Sequence, residues 1–73
     1  MPKFFFDVNN GTASFDEEGI DFANETEARE QALLAAGAIF SDEGNSILSG
    51  GSMRFIVRDE TDNVVCTFVF TVC

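Results

Sequence analysis

Apolar residues recur with a period of two over several short stretches of the chain and with a period near 3.6 over one long stretch. KFFFDV (3–8) is dense in aromatic and β-favouring residues and predicts a strand. NNG (9–11) follows, residues that tolerate positive φ and suit a hairpin turn. TASF then predicts a second strand, interrupted by DEEG and resumed by IDF at 20–22. Gly19 is free to turn left-handed in that interruption, which has the character of a bulge or wide turn. Asn24 with Glu27 three residues later predicts a capped helix start, and the early acids suit the positive end of the helix dipole. The helical pattern runs from Glu25 to about Glu43, with Gly44 as its stop. NSILSGGS (45–52) is then a loop pinned to the core by Ile47 and Leu48, and MRFIVR (53–58) and VVCTFVFTV (64–72) are strands joined by the hairpin DETDN.

The expected fold class is α+β, in the order ββαββ: one domain, residues 1–73, with a four-stranded sheet and one helix across one face. With the first and fourth strands central and parallel, the strand order is 2-1-4-3, which is β-grasp-like by analogy. On the helix, Ala28, Ala32, Leu33, Ala35, Ala36, Ile39 and Phe40 share one broad face, mostly small, so the helix can sit close to a sheet that supplies large side chains. Gly37 lies on the opposite face and weakens the helix by about 1 kcal/mol relative to Ala.

Period-two alternation assigns the two faces of the sheet. Phe4, Phe6 and Val8, then Met53, Phe55 and Val57, then Val64, Cys66, Phe68, Phe70 and Val72, belong under the helix. The opposite face carries Lys3, Phe5, Asp7, Arg54, Ile56, Arg58, Val65, Thr67, Val69 and Thr71. A single helix shelters only one of these faces. Phe5, Ile56, Val65 and Val69, with Arg54 and Arg58 among them, therefore form an expected interface, covered by a second copy or another protein.

Composition sharpens this picture. Nine Phe and no Trp or Tyr let a chain of 73 residues bury a large apolar area without polar ring atoms to satisfy. Thirteen acids against four bases, a net charge of −9, argue against nucleic acid and anionic membranes as partners. The acids crowd one region, with Asp16, Glu17, Glu18, Asp21 and Glu27 as its candidate patch. That patch is a solvated face or, more sharply, a docking surface or nucleic-acid mimic for a basic protein.

The Phe run meets Asp7 at once and no apolar stretch reaches membrane-spanning length, so neither a signal peptide nor a membrane segment is expected. Cys66 and Cys73 on one extended strand would be ~23 Å apart, whereas a disulfide needs Cα atoms within about 7 Å. Reduced thiols in the cytoplasm follow. An RRM-like use of Phe5 as a stacking platform conflicts with the charge.

No His is present to activate a Ser or Cys, and two distant Cys do not make a zinc site. SGGS lacks the Lys and the strand-to-helix setting of a phosphate loop. The acid-rich turns FDEEGID, SDEGNS and DETDN do not match EF-hand spacing, and turns collect such residues for backbone reasons. No catalytic residue, metal ligand or cofactor is assigned.

The opening Met1, Pro2, Lys3, Phe4, Phe5, Phe6, Asp7, the Asp-x-x-Gly segment from Asp16 to Gly19, the Ala/Glu-rich helix from Ala28 to Ala36 and the hairpin approach from Phe55 to Glu60 together resemble a family of short bacterial domains of unknown function. The resemblance covers nearly the whole chain and implies a fold, with no activity to carry over. Asn63, where a hairpin Gly is usual, and Gly37, in a helix normally unbroken, depart from it. Two functions are expected: a cytoplasmic, non-enzymatic interaction module working through the helix-free sheet face or, as the alternative, an acidic inhibitor of a basic partner.

Overall fold

The computed structural model describes residues 1–11, 13–48 and 51–71, with the backbone alone for 43–48. Its elements are β1 (Lys3–Asn9), β2 (Ala13–Ser14), β3 (Ile20–Asp21), α1 (Glu25–Leu48), β4 (Ser52–Asp59) and β5 (Val64–Thr71). The α+β architecture is the expected one. β2 and β3 are the two halves of the interrupted strand: both pair antiparallel with β1, through Val8↔Ser14 and Phe4↔Ile20.

The strand order differs from the expectation. β4, not the C-terminal strand, lies beside β1, β5 forms the outer edge, and every pairing is antiparallel. The β-grasp-like arrangement with a parallel central pair is therefore set aside. β3 and β4 both run against β1, so α1 carries the chain over one occupied strand and back into the sheet. No residue of β5 is fully buried, as suits an outer strand. β4 is central: Met53, Phe55 and Val57 point into the core, while Arg58 lies opposite Phe5 and can reach Asp7 only because β4 adjoins β1.

Phe4, Phe6, Val8, Phe55, Val57, Cys66, Phe68 and Phe70 pack with the helix as the alternation predicted. Val65 does not follow it. A register shift at Val57/Arg58 pairs Val57 with Cys66 and then Arg58 with Val64, leaving Val65 as the extra residue of a bulge. Val65 thus packs against the helix-side core. Val64 takes the outer face beside Arg58 and is 60% exposed, the reverse of the expected assignment of these two.

The helix begins as its cap predicts: Glu27 N–H donates to Asn24 Oδ1 at 2.8 Å, and Ala28 N–H to the Asn24 carbonyl at 3.2 Å. Ala28, Ala32 and Ala36, four residues apart, are wholly buried against the aromatic sheet face. Phe6 stacks on Phe22 and tilts against Phe55, with centroids 5.8 and 5.4 Å away, and Phe40 stacks on Phe70 at 4.7 Å. Leu33 lies at the margin of this stripe and is 54% exposed. Gly44 is no stop, because the helix continues to Leu48. A glycine costs helix propensity without forbidding helical φ and ψ. The expected pinning by Ile47 and Leu48, the inward face of Val72 and any role of Cys73 fall outside the described side chains.

Candidate functional site on the helix-free face

DEEG does more than turn the chain. The Asp16 carboxylate takes the place of the strand residue that the interruption removes. Its Oδ2 accepts the Phe6 N–H of β1 at 3.2 Å, and its Oδ1 accepts the N–H groups of Glu18 and Gly19, both at 3.1 Å. Burial alone would raise this carboxyl's pKa, but the hydrogen bonds from Gly19, Phe6 and Glu18, with the charge of Arg58, hold it below the ordinary aspartate range. Gly19 is required twice over. Its φ is +74°, and a Cβ there would sit 2.7 Å from Lys3 Cγ and 2.9 Å from the Phe5 ring. The segment therefore folds onto the sheet face that has no helix.

Beneath it lies an ion pair that alternation alone does not reveal. Asp7 is only 4% exposed, in the middle of β1. Arg58 reaches it from β4 with two N–H groups, Nε to Oδ2 and Nη2 to Oδ1, the latter at 3.1 Å. Asp16 N–H adds a third bond to Asp7, at 2.9 Å. Arg58 also donates to the Asp16 carbonyl and to the Asp62 carboxylate, and its guanidinium lies 5.0 Å above the Phe5 ring. The bonds to Asp7, opposed by partial burial and reinforced by Asp62, raise the Arg58 pKa still further. Asp62, at φ +65°, takes the left-handed position of the DETDN hairpin. Asp59 Oδ1 ties that turn to Thr61 and Asn63, with its pKa lowered chiefly by the Thr61 hydroxyl.

Phe5, Phe15, Asp16, Glu17, Arg58 and Asp62 line an open concavity of about 600 Å³ above this pair. Four of the five N–H groups of Arg58 are already bonded to the chain's own oxygens, so the concavity is not built to take an anion. Among the described residues, no three of His, Cys, Asp or Glu converge as metal ligands. The Cys66 thiol, pushed up by burial and by Glu25 against the pull of Arg29, has little thiolate for nucleophilic work.

The expected interface is thus divided. Phe5 is half-buried beneath Arg58 and against Gly19, Arg58 is consumed, and Val65 is on the other side. Arg54, half-buried Ile56 and Val69, 57% exposed, remain open. Arg54 and Val69 are cross-strand partners and line a shallower hollow of about 260 Å³ with Asn9, Gly11 and Ser52. Arg54 makes no hydrogen bond or ion pair among the described residues, unlike Arg29 and Arg58. Of the acidic patch, Asp16 is engaged in the loop, whereas Glu17, Glu18, Asp21 and Glu27 are exposed. The Asp7–Arg58 pair was the missed feature, and it left one trace: a lone acid inside a Phe run must be partnered if the strand is buried.

No described helix is long and apolar enough to cross a membrane. A family model described as a domain of unknown function, DUF6894, matches residues 3–71. No curated protein and no solved structure matches the chain.

Proposed function

The chain belongs to the DUF6894 family of domains of unknown function, and on that premise we propose that it is a small cytoplasmic interaction module without catalytic activity. It docks a partner protein on the part of the helix-free face that its own loop leaves uncovered. One observation carries this reading: Arg54, a cation with no partner among the described residues in a chain of net charge −9, stands beside exposed Val69 and half-buried Ile56. Such a surface suits a segment that offers a carboxylate next to an apolar side chain. Self-association on the same face, the other form of this reading, places like surfaces with like charge together and is the weaker fit.

The test is retention of cellular protein on the immobilised chain, with captured species identified by mass spectrometry. Arg54→Glu is expected to abolish retention, and added salt to weaken it. An unchanged set of captured proteins with Arg54→Glu would remove the reading.

Exposed Glu17, Glu18, Asp21 and Glu27 support a second reading, in which the acidic side binds a basic protein. The double variant Glu17→Lys, Glu18→Lys separates the two, since it should leave an Arg54-dependent partner bound.

A further inference from the structure

Of the five Asn residues in the sequence, Asn10 is the one followed by glycine. An asparagine amide is an electrophile within reach of its own chain, because the next backbone nitrogen can close a five-membered ring on the side-chain carbonyl. A side chain crowding that nitrogen, or a regular element fixing the backbone, normally prevents this. Neither operates at Asn10. Gly11 brings no side chain, its φ is +104°, and nothing lies within 4 Å of where its Cβ would stand. The β1–β2 ladder ends at Asn9↔Ala13, so residues 10 and 11 lie in the connecting loop, and both are exposed to water.

The other four are placed differently. Asn9 is held in the ladder opposite Arg54 and Ala13. Asn24 spends its Oδ1 on the helix cap, and Asn45 lies inside α1. Asn63 is tied to Asp59 and Thr61 and is followed by β-branched Val64.

We infer that Asn10 is a modification site, at which the chain deamidates itself without an enzyme. The Gly11 nitrogen gives up its proton to water and adds to Asn10 Cγ. A C–N bond forms there, the bond from Cγ to the side-chain nitrogen breaks, and ammonia leaves with a proton from water. Water then opens the succinimide at either carbonyl. Opening at Cγ leaves aspartate, and opening at the main-chain carbonyl leaves isoaspartate, with the chain rerouted through Cβ. The balance is one water in and one ammonia out, with nothing oxidised or reduced. One restraint on the step is visible: Gly11 N–H donates to Asn9 Oδ1 at 3.2 Å, a bond that must open before the nitrogen attacks.

The product carries one negative charge beyond the −9 of the fresh chain. Residue 10 joins Asn9 and Gly11, which both line the Arg54 hollow, so the added charge falls beside that hollow.

The experiment is incubation of the whole chain at mildly alkaline pH, followed over time by ion exchange, peptide mass mapping and ammonia release. Asn10 is expected to convert before any other Asn, with an equal amount of ammonia, isoaspartate among the products and a rate that rises with pH. Gly11→Ala should slow conversion roughly tenfold or more, because a methyl group crowds the attacking nitrogen. Asn9→Ala removes the acceptor that holds the Gly11 N–H and should speed conversion several-fold, a response that the Asn-Gly pair alone does not produce. Both substitutions fall at exposed positions.

An Asn10 that stays intact while another Asn converts would overturn the inference, as would a rate indifferent to Gly11→Ala. Conversion seen only after unfolding in urea would overturn it too, by showing that the native turn keeps amide and nitrogen apart. Retention of a partner through Arg54 is read on the freshly prepared chain, so neither result decides the other.

Discussion

The two edges of this sheet solve the same problem in opposite ways. On the β1 side the covering strand is cut into two-residue pieces, β2 and β3, and the gap is closed by the Asp16 carboxylate on Phe6 N–H. On the β5 side eight uncharged residues pair with β4 alone among the described residues. One edge is sealed by local chemistry and surrounded by acids, and the other keeps its backbone groups available. The two rims thus differ in both charge and backbone pairing.

The largest way to break the contrast is to remove the post that holds the sealed edge. Asp7→Ala leaves Arg58 without its buried partner and frees the 15–19 loop. A loss of about 3–5 kcal/mol is expected in urea unfolding, and a midpoint unchanged from wild type would show that the pair is not structural. Asp16→Ala removes three backbone hydrogen bonds and strands the part-buried Phe6 N–H, for about 2 kcal/mol by the same measurement. Gly19→Ala forces a side chain into the left-handed region against Lys3 and Phe5, for about 1–2 kcal/mol or more.

Acid should act on the same edge. Because the folded-state pKa of Asp16 is depressed, its stabilisation is present above the unfolded value, near pH 4, and is lost as pH falls through the lowered folded value. Asp16→Asn should flatten the acid limb of a stability-versus-pH curve, and an identical limb would count against the carboxylate's role. Gly37→Ala touches neither edge, since a Cβ there meets nothing, and should raise stability by up to about 1 kcal/mol in the same assay. Val69→Lys, on the open edge, should leave the unfolding free energy within about 0.5 kcal/mol of wild type.

Much of this was legible along the chain. The Asn24 cap, the alanine stripe, the interrupted strand at DEEG and the inward Phe residues are set by local propensity and periodicity, which operate over a few residues. The errors arose where distant segments decide. A one-residue bulge exchanged Val64 and Val65, and alternation cannot register an insertion without knowing the partner strand. Gly44 carried a stop signal but no obligation to stop. The loop that covers part of the second sheet face went unforeseen because helices were counted and loops were not.

By itself, then, the sequence determined the elements, the aromatic core and the surplus of acid, because each follows from residues that are neighbours in the chain or repeat along it. Which strand stands beside β1 was settled only in three dimensions, where Arg58 meets Asp7 across 51 positions of sequence. That choice placed an uncharged strand at the rim and an acidic loop over the sheet. Strand order depends on pairing energies and ion-pair geometry between remote segments, which leave no periodic mark on the chain.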